Sequence, residues 1–82
     1  MRREIQVKAF WDAEAGVWVA QSKDVPGLIT EAETMEHLVA KLQVMIPELL
    51  EANDMLDDKD DAAIPFHLLG ERTEKAFRRI GG

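Results

Sequence analysis

Leu38, Leu42, Met45, Ile46, Leu49 and Leu50 recur at helical spacing and form one apolar stripe. The spacing predicts a helix from about Met35 to Ala52. Thr34 suits its N-cap, and Glu36 falls in the first turn, where the helix dipole favours an anion. Pro47 lies inside the pattern. Its ring meets the carbonyl four residues back, so a kink is expected between Gln43 and Pro47. One helix can cover one face of a sheet and no more. A chain built on this stripe therefore leaves any sheet it forms open on the other side.

The rest of the core must be modest. Folding hides only about 60% of the surface of a chain this short. The 82 residues include no cysteine, which excludes a disulfide scaffold and a thiolate zinc site. With 46% apolar and 32% charged residues, the composition is that of a globular domain. The longest apolar run is far short of a membrane span, and no secretory leader begins the sequence. A soluble protein of the reducing cytoplasm is the expectation, with no membrane partner.

Residues 3–11 alternate, with Ile5, Val7, Ala9 and Trp11 on one side and Gln6, Lys8 and Phe10 on the other, which predicts a strand. A short polar loop from Asp12 to Gly16 follows, and Gly16 can take the left-handed conformation that a hairpin needs. Val17 to Ser22 reads as the returning strand. Pairing Trp11 with Val17 sets Phe10 opposite Trp18, Ala9 opposite Val19 and Val7 opposite Gln21. In this register Phe10, Trp18 and Ala20 share the open face and form the candidate protein interface. A slip of one residue would exchange the partners.

Asp24-Val-Pro-Gly27 reads as a turn, in which Pro26 presets its own φ and Gly27 accepts a positive one. A short third strand is expected over Leu28 to Ala32. After the helix, Asn53 to Ala63 carries Asp54, Asp57, Asp58, Asp60 and Asp61, like charges that repel and hold a solvated loop. Ile64 to Leu69 reads as a fourth strand, with Pro65 near its start. Beyond Gly70 the pattern is mixed. Leu69, Ala76, Phe77 and Ile80 suit a helix, and a continued strand suits them equally. The order is β-β-β-α-β, an α+β fold with the last strand parallel to its neighbour. Residues 1–70 make the domain and 71–82 a basic extension.

The net charge of −6 disfavours bulk attraction to nucleic acid or anionic lipid. It is unevenly placed. Residues 12–70 hold three lysines against 13 acids, while residues 1–11 and 71–82 each carry a net +2. A two-signed surface of this kind suits either acidic neighbours within the chain or steering of a basic partner.

Little in the sequence points to catalysis. His37 and His67 have no Ser or Cys nearby and no H-x-x-x-H spacing for a metal. The Asp54 to Asp61 cluster lacks the glycine and the distant Glu of a calcium loop. General acids need burial that shifts their pKa, which a polar loop does not offer. Phosphate-binding glycine patterns are absent, and Phe77 alone among the basic residues near the end makes a poor stacking platform for RNA. Trp11 reads as core. Trp18, on an uncovered face, reads as an interface anchor. No catalytic, metal or cofactor residue is assigned.

The stretch Phe10-Trp-Asp-Ala-Glu-Ala-Gly-Val-Trp-Val-Ala20, with Ser22, Asp24-Val-Pro-Gly-Leu28 and Thr30-Glu-Ala32, resembles a bacterial family of unknown function allied to the HicB antitoxins. Thr34-Met-Glu-His-Leu38 and Ile46-Pro-Glu-Leu-Leu50 extend the resemblance, which spans about residues 4–70. It implies a partial ribonuclease H fold with sheet order 3-2-1-4. It also implies a domain that binds and blocks a small RNA-cleaving toxin, HicA. HicB proteins commonly add a DNA-binding module. Only about a dozen residues follow the fourth strand here, too few for one, so no direct nucleic-acid binding is expected. The first strand has no acid in its middle, so the ribonuclease H chemistry does not carry over.

The expected protein is thus a non-enzymatic, antitoxin-type binding module. Its expected partners are a small basic HicA-like toxin and a second copy of itself, as a homodimer. The rivals are a self-associating structural subunit and a metal-dependent nuclease or hydrolase using the Asp54 to Asp61 cluster.

Overall fold

A computed structural model of the chain describes residues 4–56 and 63–79. The period-two stretch forms β1 (Ile5–Asp12), which alternates strictly at its start: Ile5, Val7 and Ala9 are buried, and Gln6, Lys8 and Phe10 are exposed. It is followed by β2 (Val17–Gln21), β3 (Ile29–Ala32), α1 (Met35–Ala52) and β4 (Phe66–Glu71). The four strands make one sheet in the order β3-β2-β1-β4. Pairs β1–β2 and β2–β3 are antiparallel, and β1–β4 is parallel. The α+β class, the β-β-β-α-β order and the parallel fourth strand are as the sequence predicts. The fourth strand begins two residues later than expected, after Pro65, and runs to Glu71. Residues 72–79 form neither a helix nor more strand.

Helix α1 spans the predicted residues and continues through Pro47. Thr34 Oγ1 accepts the His37 backbone N–H at 3.1 Å. Leu38, Leu42, Ile46 and Leu50, four residues apart, are the buried row. They meet Ile5, Val7, Ala9, Ala20 and Ala32 of the sheet in one core. At the far end Met55 N–H reaches Leu50 C=O and Asp54 N–H reaches Glu51 C=O, with Asp54 at φ 55°. This is a Schellman ending in which Asp54 stands where glycine is usual.

Two turns set how the strands enter the sheet. Leu28 N–H donates to Val25 C=O at 3.1 Å, with Pro26 and then Gly27 (φ 83°) between them, a type II turn. It drives Val25 and Leu28 into the core, a role the turn reading did not assign to them. Ser22 and Asp24 supply the approach. Ser22 Oγ donates to Gln6 C=O at 2.6 Å, and Asp24 Oδ2 accepts Gln6 N–H at 2.9 Å. Side chains thus replace the ladder where β2 leaves β1.

The hairpin register corrects the expected one. Asp12 pairs with Val17, Trp11 with Trp18, Phe10 with Val19 and Ala9 with Ala20. The loop is one residue shorter than the spacing predicts, because Asp12 belongs to the strand. Its carbonyl accepts Gly16 N–H at 2.8 Å, and its Oδ1 accepts the backbone N–H of Glu14 and Ala15. Gly16 makes this turn at φ 68°. A one-residue slip moves every β2 side chain to the other face. Trp18 and Ala20 therefore lie under the helix, and of the three candidate interface residues only Phe10 stays on the open face.

Candidate interaction surface

Two surfaces follow from this register. On the helix side, small residues line one row across the sheet: Ala20, Ala9 and Gly70. A Cβ on Gly70 would stand 2.6 Å from Met35 Cε and 3.5 Å from the Trp18 ring, so the bare backbone makes room for both side chains. The next row holds Ala32, Trp18 and Trp11. The two indole rings meet edge to face, with centroids 5.6 Å apart and planes at 63°. Continuing the parallel ladder one residue past Phe10–Glu71 sets Arg72 beside Trp11. Its guanidinium carbon lies 4.0 Å from the Trp11 ring centroid and 5.9 Å from that of Trp18. Arg72 Nε also donates to the Glu74 carboxylate. The indoles, half-buried, are thus capped by a cation that the sequence reading left unplaced.

Among the described residues the other face of the sheet carries no helix. One row crosses it as Glu31, Val19, Phe10 and Glu71, and the next as Ile29, Gln21, Lys8 and Leu69. Phe10 is 45% exposed, Leu69 48% and Ile29 70%. Val19 and Val17 are half-buried on the same side. The central row therefore has an apolar middle with an acid at each end, and the next row has apolar ends around Gln21 and Lys8. His67 lies beside Gln6 near its border, exposed.

The residues weighed for chemistry are not brought together. His37 is exposed in the first turn of α1, far along the chain and on a different element from His67. Asp54 is exposed at the helix end, while Asp57, Asp58, Asp60 and Asp61 lie outside the described residues. Among the described residues no polar or charged residue is buried, and no three His, Asp or Glu side chains are grouped to hold a metal ion. Asp12 and Asp24, half-buried, are occupied as acceptors of backbone N–H groups. Among the same residues no helix is long and apolar enough to cross a membrane.

No curated protein matches the sequence. A solved structure does, that of a hypothetical protein from the extremely thermophilic bacterium Thermus thermophilus. It is 51% identical, and the alignment covers 93% of this chain and 100% of that one with a TM-score of 0.67. The family model for a domain of unknown function, DUF1902, matches residues 4–78, from the start of β1 through most of the segment after β4. The chain therefore belongs to the DUF1902 family.

Proposed function

We propose that this protein is a non-enzymatic binding module of the HicB-like antitoxin type, which neutralises a small, basic, RNA-cleaving toxin in the cytoplasm by covering its surface. The open sheet face carries the reading. Val19 and Phe10 in the middle of its central row, with Ile29 and Leu69 on the two edge strands, offer apolar area to bury, and Glu31 and Glu71 flank the central pair. An apolar centre inside a polar rim is the common anatomy of a protein interface. Acids at the rim, on a chain of net −6, speed encounter with a basic partner and orient it. The likeness of the Phe10 to Leu28 segment to HicB-like domains supports the same role. The described acids are exposed or engaged with backbone, which favours binding over acid–base chemistry.

The test is co-expression with the product of a short basic open reading frame flanking the gene. Rescue of growth by the wild-type chain, lost in Phe10→Glu with an unchanged circular dichroism spectrum, supports the reading. A toxic product that is not rescued, or rescue untouched by Phe10→Glu and Ile29→Glu together, refutes it. Purified protein is also expected to leave RNA and single-stranded DNA intact with magnesium or manganese. Cleavage lost in Asp58→Asn with Asp60→Asn would establish the nuclease instead.

A further inference from the structure

Beyond Arg72 the described residues do not pack back on their own domain. Residues 72–79 are exposed throughout and outside regular structure, and Phe77 is 87% exposed. The molecule measures 67 × 23 × 19 Å, with a radius of gyration of 16.6 Å. A compact domain of this length has a radius of about 12 Å. The 18-residue helix accounts for about 27 Å of length. Eight extended residues add about 26–29 Å. Helix and segment laid end to end reach about 53–56 Å, so neither alone spans the 67 Å axis, and residues 72–79 project from the domain as an arm.

The arm has a fixed base. Arg72 is held over Trp11 and bonded to Glu74, so the segment leaves the sheet in a set direction. From Arg72 to Arg79 it contains no glycine or proline to turn it back along its own strand. Its charge is opposite to that of the domain. Arg72, Lys75, Arg78 and Arg79 against Glu74 give +3, whereas residues 12–70 carry −10. An arm of +3 with an uncovered phenylalanine is matched by a second copy of the same acidic domain.

The two sheet edges differ in what they offer such an arm. The β3 edge is four residues long, and its Glu31 carbonyl already accepts Lys41 Nζ at 2.6 Å. The β4 edge is six residues long, and among the described residues no side-chain hydrogen bond reaches its backbone. Unpaired edge backbone is a template for an added strand. We propose that residues 72–79 of one copy add, antiparallel, to the outer edge of β4 in a second copy, and that the reciprocal contact closes a two-fold dimer. The contact is isologous, since each copy gives the same arm and receives on the same edge. It lays Phe77 against the β4 side chains of the other copy, where Leu69 is exposed. Leu69 stands at the β4 border of the open sheet face, so the dimer covers that border and leaves Phe10, Val19 and Ile29 uncovered. The dimer is tested without a toxin, so its failure is separate from that of the binding role proposed above.

Sedimentation and light scattering on the whole chain test this without any toxin. The wild type is expected to be a dimer at micromolar concentration. Phe77→Glu removes the aromatic anchor, and Ala76→Pro removes an arm N–H. Both positions are exposed and unpaired in the single copy, so each variant is expected to keep the wild-type circular dichroism spectrum while its dimer dissociation constant rises at least tenfold. A second measurement reads the contact without weakening it. The chain has no cysteine, so a Leu69→Cys copy mixed with a Phe77→Cys copy should be joined by a short bismaleimide into a mixed pair. A wild type that stays monomeric up to submillimolar concentration overturns the proposal. So does a dimer that survives both variants, or the absence of the mixed cross-link.

Discussion

The placement of Trp18 under the helix has a measurable thermodynamic signature. Trp18 touches Trp11 and lies close to Gly70 within the packed side of the sheet. Truncating a fully buried tryptophan to alanine costs about 3–5 kcal/mol. Trp18 is half-buried, so Trp18→Ala should cost about 2–3 kcal/mol, including about 0.5–1.5 kcal/mol from the edge-to-face pair. For a domain this small each kcal/mol moves the melting temperature by roughly 4–8 °C, so a fall of about 10–20 °C is expected. Phe10→Ala, next to Trp11 in β1 but on the open face, should cost under about 1 kcal/mol.

The decisive quantity is the coupling between pairs. A double-mutant cycle of Trp11→Ala with Trp18→Ala should return about 0.5–1.5 kcal/mol. The cycle of Phe10→Ala with Trp18→Ala should add within about 0.3–0.5 kcal/mol, as for residues that do not touch. Urea unfolding followed by far-ultraviolet circular dichroism suits the assay, because removing indoles changes the fluorescence signal itself. Dilute protein keeps any second copy out of the measurement. Had Phe10 stood opposite Trp18, the larger coupling would belong to that pair. Finding it there would refute the register and the face assignment built on it.

Asp54 holds a positive φ at the helix ending, where a side chain costs roughly 1–2 kcal/mol relative to glycine, less for Asp. Asp54→Gly should therefore stabilise the fold by about 0.5–1 kcal/mol, read as a rise in the urea midpoint at an unchanged slope. In the turn that leads into β3, Asp24→Ala removes the acceptor of Gln6 N–H and should cost about 1 kcal/mol. It should also speed hydrogen exchange at the Gln6 amide specifically, which a general loss of stability would not single out.

Much of the architecture was legible because it rests on local causes. The helix from Met35 to Ala52 follows from a 3.6-residue apolar period and a threonine N-cap, and both lie within a few residues of the bonds they set. Gly16 and Gly27 mark their turns because the left-handed backbone there disfavours side chains. The parallel fourth strand follows from a single connecting helix. The faces of β2 were a different matter. Phe10 and Trp11 are adjacent and apolar, as are Val17 through Ala20, so alternation does not say which side is inner. Tertiary structure settles it through the Asp12 carboxylate and carbonyl, which close the hairpin loop at Val17 and turn Trp18 and Ala20 inward. The end of β4 is decided at a distance as well. The strand lasts to Glu71, opposite Phe10 near the end of β1, and Arg72 then finds Trp11. No periodicity within residues 71–82 records that contact, because its partner lies some sixty residues earlier in the chain and comes near only when β4 docks beside β1.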